Sequence, residues 1–176
     1  IKDNFADEIT NQKKIEEEKL KMRAQYAEII KEKEAFFTTE KATSTKTQSG
    51  LQFKIIKKGN GKKPVAGTQV FLNYAGYFEN GDLFDSNIES IATAYGTVDP
   101  NRAAQRGYQP IPFMAGAKEG MIPGFIEGIE QLSFGDKAVI FIPAYLGYGE
   151  RGAGGVIPPN ANIIFELELL ENAPAN

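Results

Sequence analysis

The stretch Pro143–Ala161, PAYLGYGERGAGGVIPPNA, admits two incompatible readings, and the choice between them decides the fold. Gly147, Gly149 and Gly152 fit G-x-G-x-x-G, the pattern of a dinucleotide-binding turn. That turn needs a strand before it and a helix opening on its last glycine, so that backbone N–H groups and the helix dipole meet a phosphate. Here Gly154 and Gly155 follow, then Val156-Ile157-Pro158-Pro159, a run that cannot open a helix at that point. No strand–helix–strand pattern surrounds it. The phosphate reading fails, which leaves a tyrosine-bearing loop facing something apolar.

Working outward, the neighbouring segments are short strands and turns. The run DKAVIFIP alternates Ala138, Ile140 and Ile142 against Val139 and Phe141, so both faces are apolar and the strand is expected to be central. In NIIFELELLE, Ile163, Phe165, Leu167 and Leu169 alternate with Ile164, Glu166 and Glu168, which predicts one buried and one mostly wet face. Upstream, LQFKIIKKGNG reads as a strand and turn, and TQVFLNYAGYFENGDLFD as two strands joined at Asn80-Gly81. The one helical pattern in this part is IPGFIEGIEQLSFGD: Pro123 suits the first turn, Phe125, Ile129 and Leu132 share a face, and Gly135 follows the end. Antiparallel strands with one short helix on a sheet face define an α+β fold.

The first forty residues differ in texture. They lack Pro and Gly, are rich in Lys and Glu, and carry Ile15, Met22, Ile29 and Phe36 at seven-residue intervals, flanked by Tyr26, Ile30 and Phe37. A helix of that length is too long to bury along one compact domain. Two readings stand: a solvated helix with its C-terminal end docked on the body, or a dimerisation helix whose second seam is Glu, Gln and Lys. A Ser/Thr/Lys-rich stretch between Thr38 and Gly50 reads as a linker. The division is then an arm at 1–40, a linker at 41–49, a body at 50–172 and a tail at 173–176.

Composition narrows the chemistry. Among 176 residues there is no His and no Cys, which excludes a Ser-His-Asp triad, a thiol nucleophile, a disulfide and His- or Cys-ligated zinc. A net charge of −3 argues against a dedicated nucleic-acid or anionic-membrane binder. No apolar run is long enough to span a bilayer, and a chain opening on Ile1 suggests a processed product with its leader or anchor elsewhere. Carboxylates, hydroxyls, amines, backbone donors and shape remain. Asp82 beside Asn80-Gly81 reads as a turn residue, whereas Asp85 follows Leu83-Phe84 on a strand-like segment. Aromatic residues spread over several elements suit core packing singly and an apolar concavity collectively.

From Gly50 to Glu171 the pieces GLQFKIIKKGNG, VFLNYAGYFENGDLFDS, PFMAG, MIPGFIEGIEQLSFGDKAVIFIPAYLGYG and GVIPPNANIIFELELL stand in an order that resembles the FKBP-type peptidyl-prolyl cis-trans isomerases. The resemblance implies a bent antiparallel sheet wrapped around the short helix, preceded here by the long N-terminal helix, with a pocket between sheet and helix. It implies catalytic roles for Asp85, Tyr148, Phe165 and Tyr74, and substrate-lining roles for Phe84, Phe113, Met121, Ile122, Phe125 and Ile157. No metal and no cofactor is implied; the implied partners are proline-containing polypeptide clients and macrolide inhibitors.

Two departures from the family pattern stand out. Phe125 occupies the pocket floor where many members carry Trp, which predicts a lower floor and weaker macrolide binding. Between Asp85 and Phe113 lies an insertion at about 87–110, beyond the roughly 12–15 residues above which loops tend to be functional or disordered. It is placed to cover the mouth or touch a substrate chain. The arm is similar to that of bacterial envelope isomerases, which implies a periplasmic or lipid-anchored location and a homodimer through the helix. A non-catalytic peptide-binding or holdase module on the same fold is the rival reading.

Overall fold

The computed structural model describes residues 2–173, with the side chains of residues 2–5, Lys19, Met22 and Arg23 excepted, so Met22 of the seven-residue stripe and residues 174–176 of the tail lie outside the described residues. The chain runs α1 (Lys2–Ala42), β1 (Thr45–Lys46), β2 (Gln52–Lys57), β3 (Gln69–Phe78), β4 (Leu83–Ser86), α2 (Glu89–Ala94), α3 (Pro100–Ala104), β5 (Ile111–Met114), α4 (Pro123–Glu130), β6 (Lys137–Ile142), a single 3₁₀ turn (Ala144–Leu146) and β7 (Ile163–Leu169). The strands form one antiparallel sheet in the order β1-β2-β6-β7-β3-β4, with β5 pairing on β3.

β6 lies between β2 and β7, and both of its faces are buried. Ala138, Ile140 and Ile142 join Ile163, Phe165, Leu167 and Leu169 of β7 beneath α4, whose Phe125, Ile126 and Ile129 complete the inner core. The sheet and helix approach closely because α4 turns glycines toward the strand: a Cβ on Gly128 would fall 2.1 Å from Ile140 Cδ1, and one on Gly124 would fall 2.5 Å from Ile142 Cγ2. A side chain at either position would force Ile140 or Ile142 to repack or the helix to shift.

On the opposite face Val139, Phe141, Ile164, Ala75 and Tyr77 form a second cluster, and the arm covers it. Phe37 sits edge-on to Tyr77 at 5.1 Å and to Phe141 at 6.4 Å, with Ile29, Ile30 and Phe36 beside it. Lys33 bonds Glu166 at 3.2 Å and lies over the Phe36, Phe37 and Tyr77 rings. Glu166 thus sits on the wet face of β7 as the alternation required, yet it serves as the socket for the arm. Lys54 to Glu40, at 2.6 Å, ties the helix end to β2. Toward the N-terminus the described side chains from Ala6 to Gln25 are all exposed. At 1.5 Å per residue, the 41-residue helix is about 60 Å long, so it outruns the body it docks on.

The stretch expected to be a linker is ordered by its own hydroxyls. Thr38 and Thr39 donate to the carbonyls of Glu34 and Ala35 and so continue α1, while Thr43 and Ser44 donate to Glu40 and Lys41 and close its end. β1 then pairs with β2, and Thr47 and Ser49 donate to the two Glu127 oxygens on α4 at 2.6 Å each. Polar composition marked the absence of a core-facing pattern there, not looseness. The Gly-rich stretch after β6 opens no helix on Gly152. It folds back through a bridge between Ala153 and Ile157.

Gly81 closes the β3–β4 turn at φ +92, and a Cβ there would lie 2.2 Å from the Ile30 carbonyl oxygen of α1. Gly81→Asn tolerates the backbone angle but collides with the helix. It is expected to destabilise the protein by about 1–3 kcal/mol in urea titration, and to speed proteolysis within α1.

Candidate active site

The site begins with strand pairing. β3 carries Tyr74 on its inner face, and β7 pairs with it so that Gly76 stands opposite Phe165. A Cβ at Gly76 would lie 2.6 Å from the Phe84 ring and 2.8 Å from Phe165, so glycine there lets both rings lie against the sheet. Phe165 is the hub. It meets Phe125 at 5.1 Å, Phe84 at 5.6 Å and Tyr74 at 6.2 Å, the first two edge-on. Tyr74 also stands edge-on to Phe125 at 6.3 Å. Such pairs add about 0.5–1.5 kcal/mol each beyond burial, and their geometry holds the rings in set orientations.

These rings enclose a hollow of about 220 Å³ lined by Tyr74, Phe84, Asp85, Ile111, Gly120, Met121, Ile122, Phe125, Tyr148 and Phe165. Its polar groups are few. Tyr74 donates its hydroxyl proton to Asp85 at 2.6 Å, and the Arg102 guanidinium stands 3.8 Å from the other Asp85 oxygen. Tyr148 is exposed at the rim. Burial, and then the neighbouring Asp85 carboxylate, push the Tyr74 hydroxyl above the ordinary tyrosine range; Arg102 offsets this in part. Tyr74 therefore remains a proton donor throughout the neutral range. Ile122 precedes α4 as its N-cap, and an N-cap N–H has no intrahelical partner.

The residues after Asp85 form the frame. Ser86 donates to the Tyr74 carbonyl at 2.8 Å and accepts from Ile88 N–H. Asn87, buried, accepts from Tyr74 N–H and donates to the carbonyls of Leu72 and Gln109. One amide thus joins both ends of the insertion to β3, and removing it would strand three backbone groups at about 1–3 kcal/mol for each that stays buried.

Eight of the ten residues named from the sequence line this hollow. Phe113 and Ile157 are not among them; both are buried in the inner core that Phe125 and Phe165 share. In the β3–β5 register Phe113 faces Val70, two pairs farther from Tyr74 than Ile111, which faces Leu72 and takes the lining position. Ile157 is turned inward by the fold-back at Ala153. Ile111 was missed although it shares the inward face of β5 with Phe113 by simple alternation. Arg102 was missed because nothing in an exposed helical turn signals a partner many residues away. The insertion is not a structureless cover: it forms α2 and α3, and α3 delivers Arg102 to the site.

The antiparallel sheet, the short helix α4 against it and the aromatic hollow between them define an α+β domain with an apolar concave site. Residues 60–170 match the family model for FKBP-type peptidyl-prolyl cis-trans isomerase, and the chain belongs to that family. It is similar to FK506-binding protein 1 of Dictyostelium discoideum, with 39% identity over 121 residues, covering 69% of this chain and 96% of that protein. It is similar to the FKBP-type 22 kDa peptidyl-prolyl cis-trans isomerase of Escherichia coli K12, at 38% identity over 71% of this chain and 51% of the relative. A probable FKBP-type peptidyl-prolyl cis-trans isomerase FkpA of Neisseria meningitidis serogroup B is 36% identical over 157 residues, 85% of this chain and 50% of its own length. The chain therefore spans about half the length of these two bacterial relatives. Among solved structures, the crystal structure of AtFKBP13 aligns with a TM-score of 0.56 and 30% identity, covering 74% of this chain and 98% of that one.

Burial, followed by nearby carboxylates, raises the Tyr77 and Tyr95 hydroxyls as it does Tyr74. A raised folded-state value stabilises fully below the unfolded value of about 10 and is lost as pH rises through the folded value. Stability in urea is expected to fall steeply above about pH 10. Tyr77→Phe should reduce that slope.

Proposed function

We propose that the protein catalyses cis–trans isomerisation of X–Pro peptide bonds in polypeptide clients, assisting their folding, and that the aromatic hollow is the active site. The observation that carries this reading is the Tyr74–Asp85 pair at the edge of a hollow walled by Phe84, Phe125 and Phe165. Rotation about the amide faces a barrier of about 18–20 kcal/mol set by resonance. No proton moves and no bond breaks, so the absence of His and Cys is no obstacle. The enzyme must only bind the twisted amide better than either planar form. Twisting removes charge separation between carbonyl oxygen and nitrogen, and an apolar enclosure favours that loss relative to water.

In this reading Phe125, Ile122, Tyr74 and Phe165 seat the prolyl ring, with Phe84, Met121 and Ile111 as walls. Tyr148 donates to a substrate carbonyl, and the Ile122 N–H holds the chain after proline. Asp85 acts by fixing Tyr74 and by its field on the rotating carbonyl, not as an acid. Macrolides of the kind named for the Dictyostelium relative would enter the same hollow. Phe125 offers them a smaller platform than Trp, so Phe125→Trp should tighten binding.

The test is protease-free measurement of prolyl isomerisation on Leu-Pro and Phe-Pro peptides. Asp85→Ala and Tyr148→Phe are each expected to lower kcat/KM by about tenfold, the equivalent of one lost hydrogen bond in the rotating state. Rates equal to wild type in both variants would remove these roles. Suppression of aggregation that survives both substitutions would instead favour a holdase that uses the fold without its chemistry.

The projecting part of α1 supports a second element of the proposal, a homodimer. Ile9, Ile15 and Leu20 are exposed on it, and the stripe that docks at Ile29 and Phe36 continues through Ile15 beyond the body. The arm resembles those of envelope isomerases, so a periplasmic, lipid-anchored setting belongs to the same proposal. Light scattering should give twice the chain mass for residues 1–176 and a single mass once residues 1–25 are removed; a single mass for both would eliminate the dimer.

A further inference from the structure

The insertion touches two surfaces at once. Its helix α2 is followed by Tyr95, buried in the cluster that holds Phe37, Tyr77 and Leu83, with its ring edge-on to Tyr77 at 5.8 Å. The next residue, Gly96, has φ +70, and a Cβ there would lie 2.4 Å from the Tyr26 ring of α1. The insertion is thus gripped between the outer face of the sheet and the arm. The Tyr95 hydroxyl is buried without a hydrogen-bond partner, so packing of the ring, rather than a bond, keeps it there.

The far end of the insertion meets the pocket. Asp99 caps α3 by accepting from the N–H groups of Asn101 and Arg102, and its own N–H donates to the Tyr108 hydroxyl at 2.8 Å. Arg102 donates through Nε to the Gly107 carbonyl, lies 4.4 Å from the Tyr108 ring centroid and reaches Asp85. These contacts make α3 and Tyr108 one block. Nothing within that block holds it to the body by burial: between Tyr95 and Phe113 no residue is buried.

We infer that Tyr95 is a positioning residue for the active site: wedged between sheet and arm, it seats the insertion so that Arg102 holds Asp85 where Asp85 accepts from Tyr74. An exposed pair at 3.8 Å cannot fix its own geometry, because each long side chain has other rotamers and water competes for both charges. The backbone carrying Arg102 must be fixed instead, and Asn87 at the ends of the insertion and Tyr95, with Ala92 and Ile91 of α2 beside it, supply the anchors. Asn87 sets the ends of the insertion; Tyr95 sets its tilt. Docking of the arm is thereby coupled to turnover from Tyr26 on Gly96, along the short backbone segment to Asp99, and through Arg102 to Asp85 and Tyr74. The inference rests on the isomerase reading.

The experiment is a double-mutant cycle on the full chain, read as kcat and KM for a Leu-Pro peptide, with wild type and Asp85→Ala measured first. Tyr95→Ala is expected to lower kcat by on the order of fivefold, with KM changed by less than about twofold. Tyr95→Phe, which keeps the ring, should restore kcat. In an Arg102→Ala background, Tyr95→Ala should add nothing. An equal loss with and without Arg102, or no loss at all, overturns the inference while leaving the isomerase intact. Wild type no faster than the uncatalysed rotation of the same peptide would sink the isomerase reading itself. Should Tyr95→Ala fail to fold, Tyr26→Ala loosens the same wedge from the arm side. It should lower kcat only when Arg102 is present, and an unaffected kcat there again refutes the coupling.

Discussion

β6 is apolar on both sides, so the sheet built around it has to be covered twice. Ile140 and Ile142 need a cover on one face, and Val139 and Phe141 need another. The inner cover is α4, short and glycine-faced, lying close enough to Ile140 that its first turn also forms the floor of the hollow. The outer cover is the last third of α1. Burying a side chain such as Phe37 is worth about 1.5–3 kcal/mol, which makes the arm part of the folded body rather than a tether to it.

The two covers give the molecule its functional asymmetry. Inside, rings meeting edge-on around Phe165 leave an aromatic-walled hollow with one tyrosine–carboxylate pair at its edge. Outside, a lysine under the arm meets three aromatic rings and a glutamate, and the insertion is caught beneath the same helix. Arg102 connects the two sides, being carried by an insertion anchored outside and directed at Asp85 inside. A hollow walled by aromatic rings, with one tyrosine–carboxylate pair at its edge, offers few groups of its own to regulate. What its surroundings can alter is the placement of the few charges near it.

Much of the body was legible because its physics is local. Alternation in β6 and β7 followed from side chains pointing to opposite faces, and the position of α4 followed from Pro123, the Phe125–Ile129 spacing and Gly135. Tyr74, Asp85, Tyr148 and Phe165 were nameable because the motif pieces around them keep a family order. Where local signals were weak the reading slipped. Threonines and serines after Phe37 looked like a linker, since hydroxyls bonding to carbonyls four residues back leave no periodic trace. Ile111 went unnamed because it lies outside the motif pieces that carry the resemblance, although it shares a face of β5 with Phe113.

By itself, the order of residues determined the antiparallel class, the strand faces and the exclusion of His- and Cys-based chemistry. Those properties depend on neighbours two to four positions apart, or on which side chains exist at all. Tertiary structure alone decided which face of the sheet the arm would cover, that Ile157 would turn into the core, and that Arg102 would meet Asp85. Each of those rests on contacts between segments far apart along the chain, where the energy belongs to the pair and neither member announces its partner.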